Sequence, residues 1–260
     1  MRLSIDARLD YALPVPADLL IALEVAQTAD QRLVTDQLLV TGVGSLRPID
    51  AQDGLGRRTW ARGTDRVTAH YRAIVDVDRA APILPELVAD DLLGLPTLVV
   101  PYLFPSRYCE SDRFEQTVER DFADKTGGAK IQEIVNWIRS HLDYGSGASD
   151  ARTTAVDTYV ARRGVCRDFA HLLIAMARAS GVPARMVAAY AWRLDPPDFH
   201  ALVEVWLSGS WHLVDATGLA PIEGIVQIGV GRDATDVSFL TIFGRADLIS
   251  QQVSVEQIDG

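Results

Sequence analysis

Three side chains in the second half of the sequence have the types and the order that nucleophilic catalysis needs: Cys166, His200 and Asp215. A thiolate is a strong nucleophile, an imidazole can hold the proton that the thiol gives up, and a carboxylate can orient and stabilise the imidazolium. Each residue alone has an ordinary structural alternative: a small buried hydrophobe, a hydrogen-bonded strand histidine, and a turn or capping residue. Their joint order and spacing favour the catalytic interpretation, which is acyl transfer through a thioester.

The sequence around Cys166 predicts that this residue begins a helix. Gly164 permits a tight entry, and apolar residues surround most of the segment from Cys166 to Ser180, which predicts a central buried helix. Gly181 and Pro183 mark its end. At a helix start the unpaired N–H groups and the helix dipole favour a thiolate, and one N–H can also stabilise an oxyanion.

Alternating polarity predicts two adjacent strands, residues 200–207 and 210–215, that carry His200 and Asp215. With Ser208-Gly209 as a two-residue turn, Leu202 lies opposite Asp215, and His200 is a diagonal neighbour of that carboxylate. Diagonal neighbours are about 7 to 8 Å apart, which an imidazole and a carboxylate can bridge. Moving the turn to Gly209-Ser210 would shift Asp215 two residues further along, which is too far without a bulge or a strong twist.

Three blocks of this sequence resemble the signature of the bacterial transglutaminase-like family, whose fold is papain-like. The blocks are Gly164-Val165-Cys166-Arg167-Asp168-Phe169-Ala170-His171-Leu172, then Gly181-Val182-Pro183-Ala184-Arg185, then His200-Ala201 with Trp211 and Asp215-Ala216-Thr217. The resemblance covers residues 164–217 and implies a nucleophilic Cys166 assisted by His200 and Asp215. Two positions depart from the family pattern: Leu202 stands where a Trp is usual, and Ala216 where a Pro is usual. Neither handles protons, but both bear on the shape of the pocket.

The chain divides into two predicted parts that together give an α+β fold. Residues 1–108 are expected to form a small β-rich N-terminal domain, since short alternating runs such as 38–41 and 67–77 are separated by glycines. Five prolines between residues 81 and 105 predict an irregular connector. Residues 109–260 are expected to form the catalytic core, in which the helix bearing Cys166 packs on an antiparallel sheet. Further strand-like runs lie near residues 224–230, 237–243 and 248–255. An amphipathic helix after Gly127-Gly128 and a short helix near residues 154–162 complete it.

Composition narrows the range of partners. The 260 residues include 25 Lys and Arg against 35 Asp and Glu, a net charge of -10 that disfavours nucleic acid and anionic lipid. No apolar run approaches 18 residues, and no secretory leader is recognisable at the N-terminus, so we expect a cytoplasmic protein that does not enter the membrane. The two cysteines lack a CxxC partner and the five histidines are scattered, so neither a metal nor a cofactor is predicted.

The predicted function is cysteine-dependent acyl transfer or hydrolysis on a peptide or protein carboxamide. Water as acceptor gives a protease or amidase, whereas a primary amine gives a transglutaminase. Two alternatives remain open: a noncatalytic binding module with the same fold, and an arylamine-type acyltransferase, ranked last because no basic cluster for an acyl-CoA phosphate is evident. Tyr144 is a candidate second oxyanion donor, although packing is the commoner role of such a residue. The sequence predicts packing for His171, no role for Cys109, and nothing about oligomeric state.

Overall fold

The computed structural model describes residues 1–145, 147 and 149–259. Its α-helices are α1 (Glu115–Asp121), α2 (Gly127–His141), α3 (Ala155–Ala161) and α4 (Cys166–Ala179). Its strands are β1 (Arg2–Ile21), β2 (Gln31–Val43), β3 (Arg47–Asp50), β4 (Arg57–Val77), β5 (Asp143–Tyr144), β6 (Arg163–Gly164), β7 (Ala184–Ala191), β8 (Phe199–Leu207), β9 (Ser210–Val214), β10 (Ile225–Gly231), β11 (Leu240–Phe243) and β12 (Asp247–Ile258). None of the helices among the described residues is long and apolar enough to cross a membrane.

The first sheet is antiparallel and is built around two long strands, β1 and β4. Their neighbours are arranged in the order β11-β1-β4-β2, with β12 also pairing with β1 and β3 with β4. Alternate residues of β1, including Leu3, Ile5 and Ala7, are buried, as a strand with one face on a core requires. The prediction that the N-terminal part of the chain is rich in antiparallel strands is therefore confirmed.

The last two strands return to this first sheet. Strand β11 pairs with residues 18–21 of β1, and β12 pairs with residues 2–12 of the same strand. The sequence predicts these C-terminal residues to be part of the catalytic core, because alternation identifies a strand but not its partner. The C-terminal segment thus belongs to the first sheet, while the division of the chain near residue 108 stays a prediction.

The connector between the first sheet and the helices contains only short 3-10 turns, at Leu84–Glu86, Leu92–Gly94, Val100–Leu103 and Ser111–Arg113. It still has a structural role, because it packs against the start of α2. The Gly128 N–H donates to the carbonyl oxygen of Leu87 at 2.9 Å. A Cβ on Gly128 would overlap the carbonyl oxygen of Leu84, so only glycine fits here.

Helix α4 is the centre of the second core. From Asp168 to Arg178 every residue is buried, and the helix packs on strands β7 and β8 and on α2 and α3. Gly181 follows it with a φ of 75°, and the Val182 N–H donates back to the carbonyl oxygen of Ala177 at 3.0 Å. This left-handed cap ends the helix within one residue of the predicted position.

The second sheet is antiparallel and has the strand order β10-β7-β8-β9. Ser208 and Gly209 both have positive φ and form the tight turn between β8 and β9. Trp206 pairs with Trp211 across this turn. The predicted turn and register are therefore confirmed, and they bring the C-terminal end of β9 beside the start of β8.

Candidate active site

Cys166 is the first residue of α4 and lines a cavity between the helix and the second sheet. The short parallel pair β5–β6 fixes the chain that leads into the helix, with the Gly145 N–H donating to the carbonyl oxygen of Gly164 at 3.0 Å. The Asp168 carboxylate accepts a hydrogen bond from the Val165 N–H at 2.9 Å. This bond caps the helix and holds the sulfur-bearing residue in place.

Asp168 is fully buried and acts as a structural cap. Its carboxylate also accepts hydrogen bonds from the Ser149 hydroxyl and from the Arg167 guanidinium, the latter at 2.9 Å. A carboxylate in the first turn of a helix complements the dipole but opposes a thiolate, so its own neighbours decide its effect on Cys166. The guanidinium of Arg167, which pairs with Asp168, compensates the charge of that carboxylate. A Cβ on Gly164 would come within 2.7 Å of the Asp168 Cβ, which explains the glycine before the cysteine.

His200 and Asp215 form a buried pair. The Nε2 atom of His200 lies 3.0 Å from Oδ2 of Asp215, and their side chains are 0% and 3% exposed. The carboxylate also accepts hydrogen bonds from the N–H and the hydroxyl of Thr217, at 2.8 and 2.6 Å, and from the Ala220 N–H at 3.2 Å. Arg139 binds the backbone carbonyl of Asp215 at 2.6 Å. The carboxylate is thus held rigidly towards the imidazole.

These contacts set the charges of the pair. Burial by itself lowers the pKa of His200, but hydrogen bonds and charge from Asp215 and Cys166 outweigh it and raise the pKa to about 9. Burial also tends to raise the pKa of Asp215, yet its bonds to His200 and Thr217 hold that pKa below its usual range. Near neutral pH the pair is therefore an imidazolium beside a carboxylate.

The other ring nitrogen of His200 is directed to the thiol side of the site. Nδ1 is buried and makes no hydrogen bond of standard geometry with the described residues. Cys166 is nevertheless close enough to contribute to the raised pKa of the ring by hydrogen bonding and charge. Cys166 and His200 line the same cavity, which has a volume of about 410 Å³. The structure therefore brings all three sequence-predicted residues together, in the series Cys166, His200, Asp215.

Tyr144 is a fourth polar side chain at this place. Its hydroxyl lies beside the thiol and the backbone N–H of Cys166, and its ring packs on Phe169 with centroids 5.8 Å apart. Partial burial, together with the charge of Cys166, raises the pKa of Tyr144 to about 12. The hydroxyl therefore keeps its proton near neutral pH and can act as a hydrogen-bond donor.

Other residues considered from the sequence lie apart from this series. The His171 ring stacks on Tyr108, with centroids 5.1 Å apart, and its Nε2 accepts the Ala234 N–H at 3.1 Å. Burial lowers the pKa of His171 to about 4, so it is neutral and has the packing role that was predicted. Cys109 is fully buried, and burial raises the pKa of its thiol. Among the described residues no cluster of three His, Cys, Asp or Glu side chains is arranged to bind a metal.

One wall of the cavity is not predicted by the sequence. Val237, Ser238 and Phe239 line it from the segment that leads out of the second sheet into β11. Their alternating pattern predicts only part of a strand. No local signal in the sequence connects this segment with Cys166, because the contact depends on the return of the C-terminal strands to β1.

A helix that begins at a cysteine and packs on an antiparallel sheet carrying a His–Asp pair defines a papain-like α+β protein. Residues 114–216 match the sequence profile of the transglutaminase-like superfamily. A putative cysteine protease from Cytophaga hutchinsonii has 34% sequence identity to this chain. Its crystal structure superposes with a TM-score of 0.94 over 100% of this chain and 91% of that one. The chain belongs to the transglutaminase-like superfamily.

Mycobacterial proteins share a shorter region. An uncharacterized protein of Mycobacterium leprae is 34% identical over 116 residues, which are 42% of this chain and 42% of that protein. An uncharacterized protein of Mycobacterium tuberculosis is 30% identical over 122 residues, 41% of this chain and 39% of the relative. The aligned region thus spans less than half the length of these relatives.

Proposed function

We propose that this protein is a cysteine-dependent hydrolase that cleaves peptide or related amide bonds through a thioester on Cys166. The observation that carries the proposal is the buried His200–Asp215 pair, which lies in one cavity with a cysteine at a helix N-terminus. The similarity to the Cytophaga hutchinsonii protein supports a proteolytic rather than a purely structural role.

The proposed first half-reaction forms the thioester. With a pKa of about 9, His200 holds a proton near neutral pH that it can pass to a leaving group. The proposed nucleophile is the sulfur of Cys166, which lies at the N-terminus of α4 beside this imidazolium. The sulfur attacks the carbonyl carbon, and the C–N bond breaks as the imidazolium gives its proton to the leaving amine. Because Nε2 is bonded to Asp215, Nδ1 is the ring nitrogen that is proposed to exchange the proton with the sulfur and the leaving amine.

The second half-reaction releases the acyl group. His200, now neutral, takes a proton from a water molecule whose oxygen attacks the thioester carbon. The C–S bond then breaks, and a carboxylic acid leaves. A primary amine in place of water would give a new amide, which is the transglutaminase outcome.

Two donors are proposed to stabilise the oxyanion in both steps. One is the backbone N–H of Cys166, which lies at the positive end of the α4 dipole. The other is the Tyr144 hydroxyl, which lies beside that N–H and keeps its proton near neutral pH because its pKa is raised to about 12. Both are positioned before substrate arrives, which is the condition for strong electrostatic stabilisation.

The proposal is tested by the rate at which iodoacetamide alkylates Cys166 at neutral pH, read residue by residue by mass spectrometry. We expect Cys166 to react at least about tenfold faster than an ordinary thiol and His200→Ala to remove the difference, because the thiolate loses its imidazolium partner. His141→Ala, at the exposed end of α2, is the matched control and should leave the rate unchanged. Ordinary reactivity of Cys166 in the wild type would leave only the binding-module alternative.

A second assay identifies the acceptor. The protein is incubated with a panel of peptides and an isotopically labelled primary amine, and the products are compared by mass. Hydrolysis should dominate over amine incorporation. If labelled amides predominate instead, the protein is a transglutaminase and the hydrolase proposal is wrong.

A further inference from the structure

The cavity beside Cys166 has an apolar interior. Met186 and Ala188 from β7 and Phe199 from β8 are buried and line the cavity, and Val237 and Phe239 from the segment before β11 line it next to them. Its volume of about 410 Å³ lies within the range of sites that enclose a small ligand or a side chain. Burial in such a site favours apolar groups roughly in proportion to the area they remove from water.

The charged groups around the cavity do not offer a partner for a charged side chain. Among the described residues that line it, none is an Asp or Glu. Apart from His200, the charged side chain present is Arg167, whose guanidinium already donates to the Asp168 carboxylate and to the backbone carbonyl of Asp150. A substrate ammonium would find no carboxylate, and a substrate carboxylate would find a cation that is already paired. Burial of an unpaired charge is strongly unfavourable.

The wall formed by Val237 to Phe239 is fixed by the first sheet. The Ala22 N–H donates to the carbonyl oxygen of Phe239 at 2.9 Å, and β11, which follows at once, pairs with β1. The Phe239 ring stacks on Phe199 with centroids 3.9 Å apart. The first sheet, although it contributes none of the three reactive side chains, therefore holds one side of the cavity next to them.

We propose that this cavity receives an uncharged, apolar side chain of the acyl donor, adjacent to the carbonyl that Cys166 attacks. The preferred substrates are then peptides or amides with an aliphatic or aromatic residue at that position. The first sheet, through the segment of Val237 to Phe239, acts as a determinant of specificity. This inference rests on the proposed thioester chemistry, since it concerns the acyl group that the sulfur receives.

The test compares how fast Cys166 is alkylated by the chloromethyl ketones of N-acetyl-leucine, N-acetyl-lysine and N-acetyl-glutamate. Each rate is divided by the rate of the same reagent with a free thiol in solution. We expect the leucine reagent to be at least about tenfold faster than either charged one, the order of discrimination that one or two buried methylenes give in an enzyme pocket. Equal corrected rates would overturn the proposal.

Two variants at one position show whether the preference comes from this cavity. Val237→Phe fills the space and should reduce the leucine preference to below about threefold, whereas Val237→Ala enlarges it and should favour a phenylalanine reagent over the leucine reagent. Val160→Phe, at a valine that is 75% exposed on α3, is the matched control and should retain the preference. A preference that survives Val237→Phe in a protein with normal iodoacetamide reactivity would also overturn the proposal.

Iodoacetamide carries no side chain, so it separates the two proposals. Fast labelling of Cys166 by iodoacetamide, with no discrimination among the chloromethyl ketones, would refute the specificity of the cavity and leave the thioester chemistry standing. Slow labelling by iodoacetamide would refute both, because the acyl pocket has no function without a reactive sulfur.

Discussion

Replacement of Asp215 by asparagine isolates the charge of the carboxylate that faces His200. Asn has nearly the same shape, and its oxygen in the Oδ1 position can still accept the bonds from Thr217. Its NH2 group replaces Oδ2, the oxygen that faces His200 and the Ala220 N–H, and the negative charge is lost. His200 remains buried, and burial is the influence that lowers its pKa. Burial then opposes only the smaller raising effect of Cys166, so we expect Asp215→Asn to bring the pKa of His200 down from about 9 to near its ordinary value of about 6.5.

The size of the effect depends on pH. At pH 8 a group with a pKa of about 9 is roughly 90% protonated, whereas one near 6.5 is about 3% protonated, a difference of about 30-fold. At pH 6 the two are protonated to about 100% and 75%, which is nearly the same. The imidazolium, and with it the ion pair that Cys166 can form, should therefore be lost in the variant at pH 8 and retained at pH 6.

The measurement is a titration of the His200 ring by nuclear magnetic resonance, with the alkylation rate of Cys166 followed at pH 6 and pH 8. The control is Asp18→Asn, because Asp18 pairs with Arg62 on the exposed surface of the first sheet. It should leave the His200 titration unchanged. An Asp215→Asn protein that is folded and still titrates near pH 9 at His200 would refute the inference that the carboxylate sets the charge of the ring.

The same pair affects stability, and the sign follows from the direction of the shift. Because folding raises the pKa of His200, its contribution is fully present below about pH 6.5 and is lost as the pH rises through about 9. The difference between these values corresponds to about 3 kcal/mol. In the wild type the free energy of unfolding should therefore fall across this pH range, and in Asp215→Asn the fall should be much smaller.

Two further substitutions test other parts of the structure. Tyr144→Phe removes a proposed oxyanion donor, and we expect kcat for peptide hydrolysis to fall by about 10²-fold with little change in KM; an unchanged kcat would leave the tyrosine a packing role. Gly128→Ala forces a Cβ against the Leu84 carbonyl and should lower the unfolding free energy by at least about 1 kcal/mol in a denaturant titration. Gly94→Ala, where the added Cβ meets nothing within 4 Å, is the matched control, and equal stabilities would contradict the packing argument.

Local sequence was enough to predict the elements that carry the site. The start of α4 at Cys166 and its end before Gly181 follow from helix periodicity, a left-handed cap and a proline, all of which act within a few residues. The turn at Ser208-Gly209 was predictable for the same reason, since a tight turn fixes the register of the two strands that it joins. The proximity of His200 to Asp215 follows from that register.

The tertiary structure decided what lies around these elements. Alternation identified β11 and β12 as strands, but their partner is β1, more than 200 residues earlier, and no local pattern encodes a pairing at that distance. The cavity wall at Val237 to Phe239 depends on that pairing. The pKa of about 9 at His200 likewise depends on tertiary packing, because burial lowers it while Asp215 and Cys166 raise it. The sequence by itself determined which groups could react, because helix starts, caps and tight turns are local. Packing between distant segments decided the charge of these groups and the acyl groups that the cavity would admit.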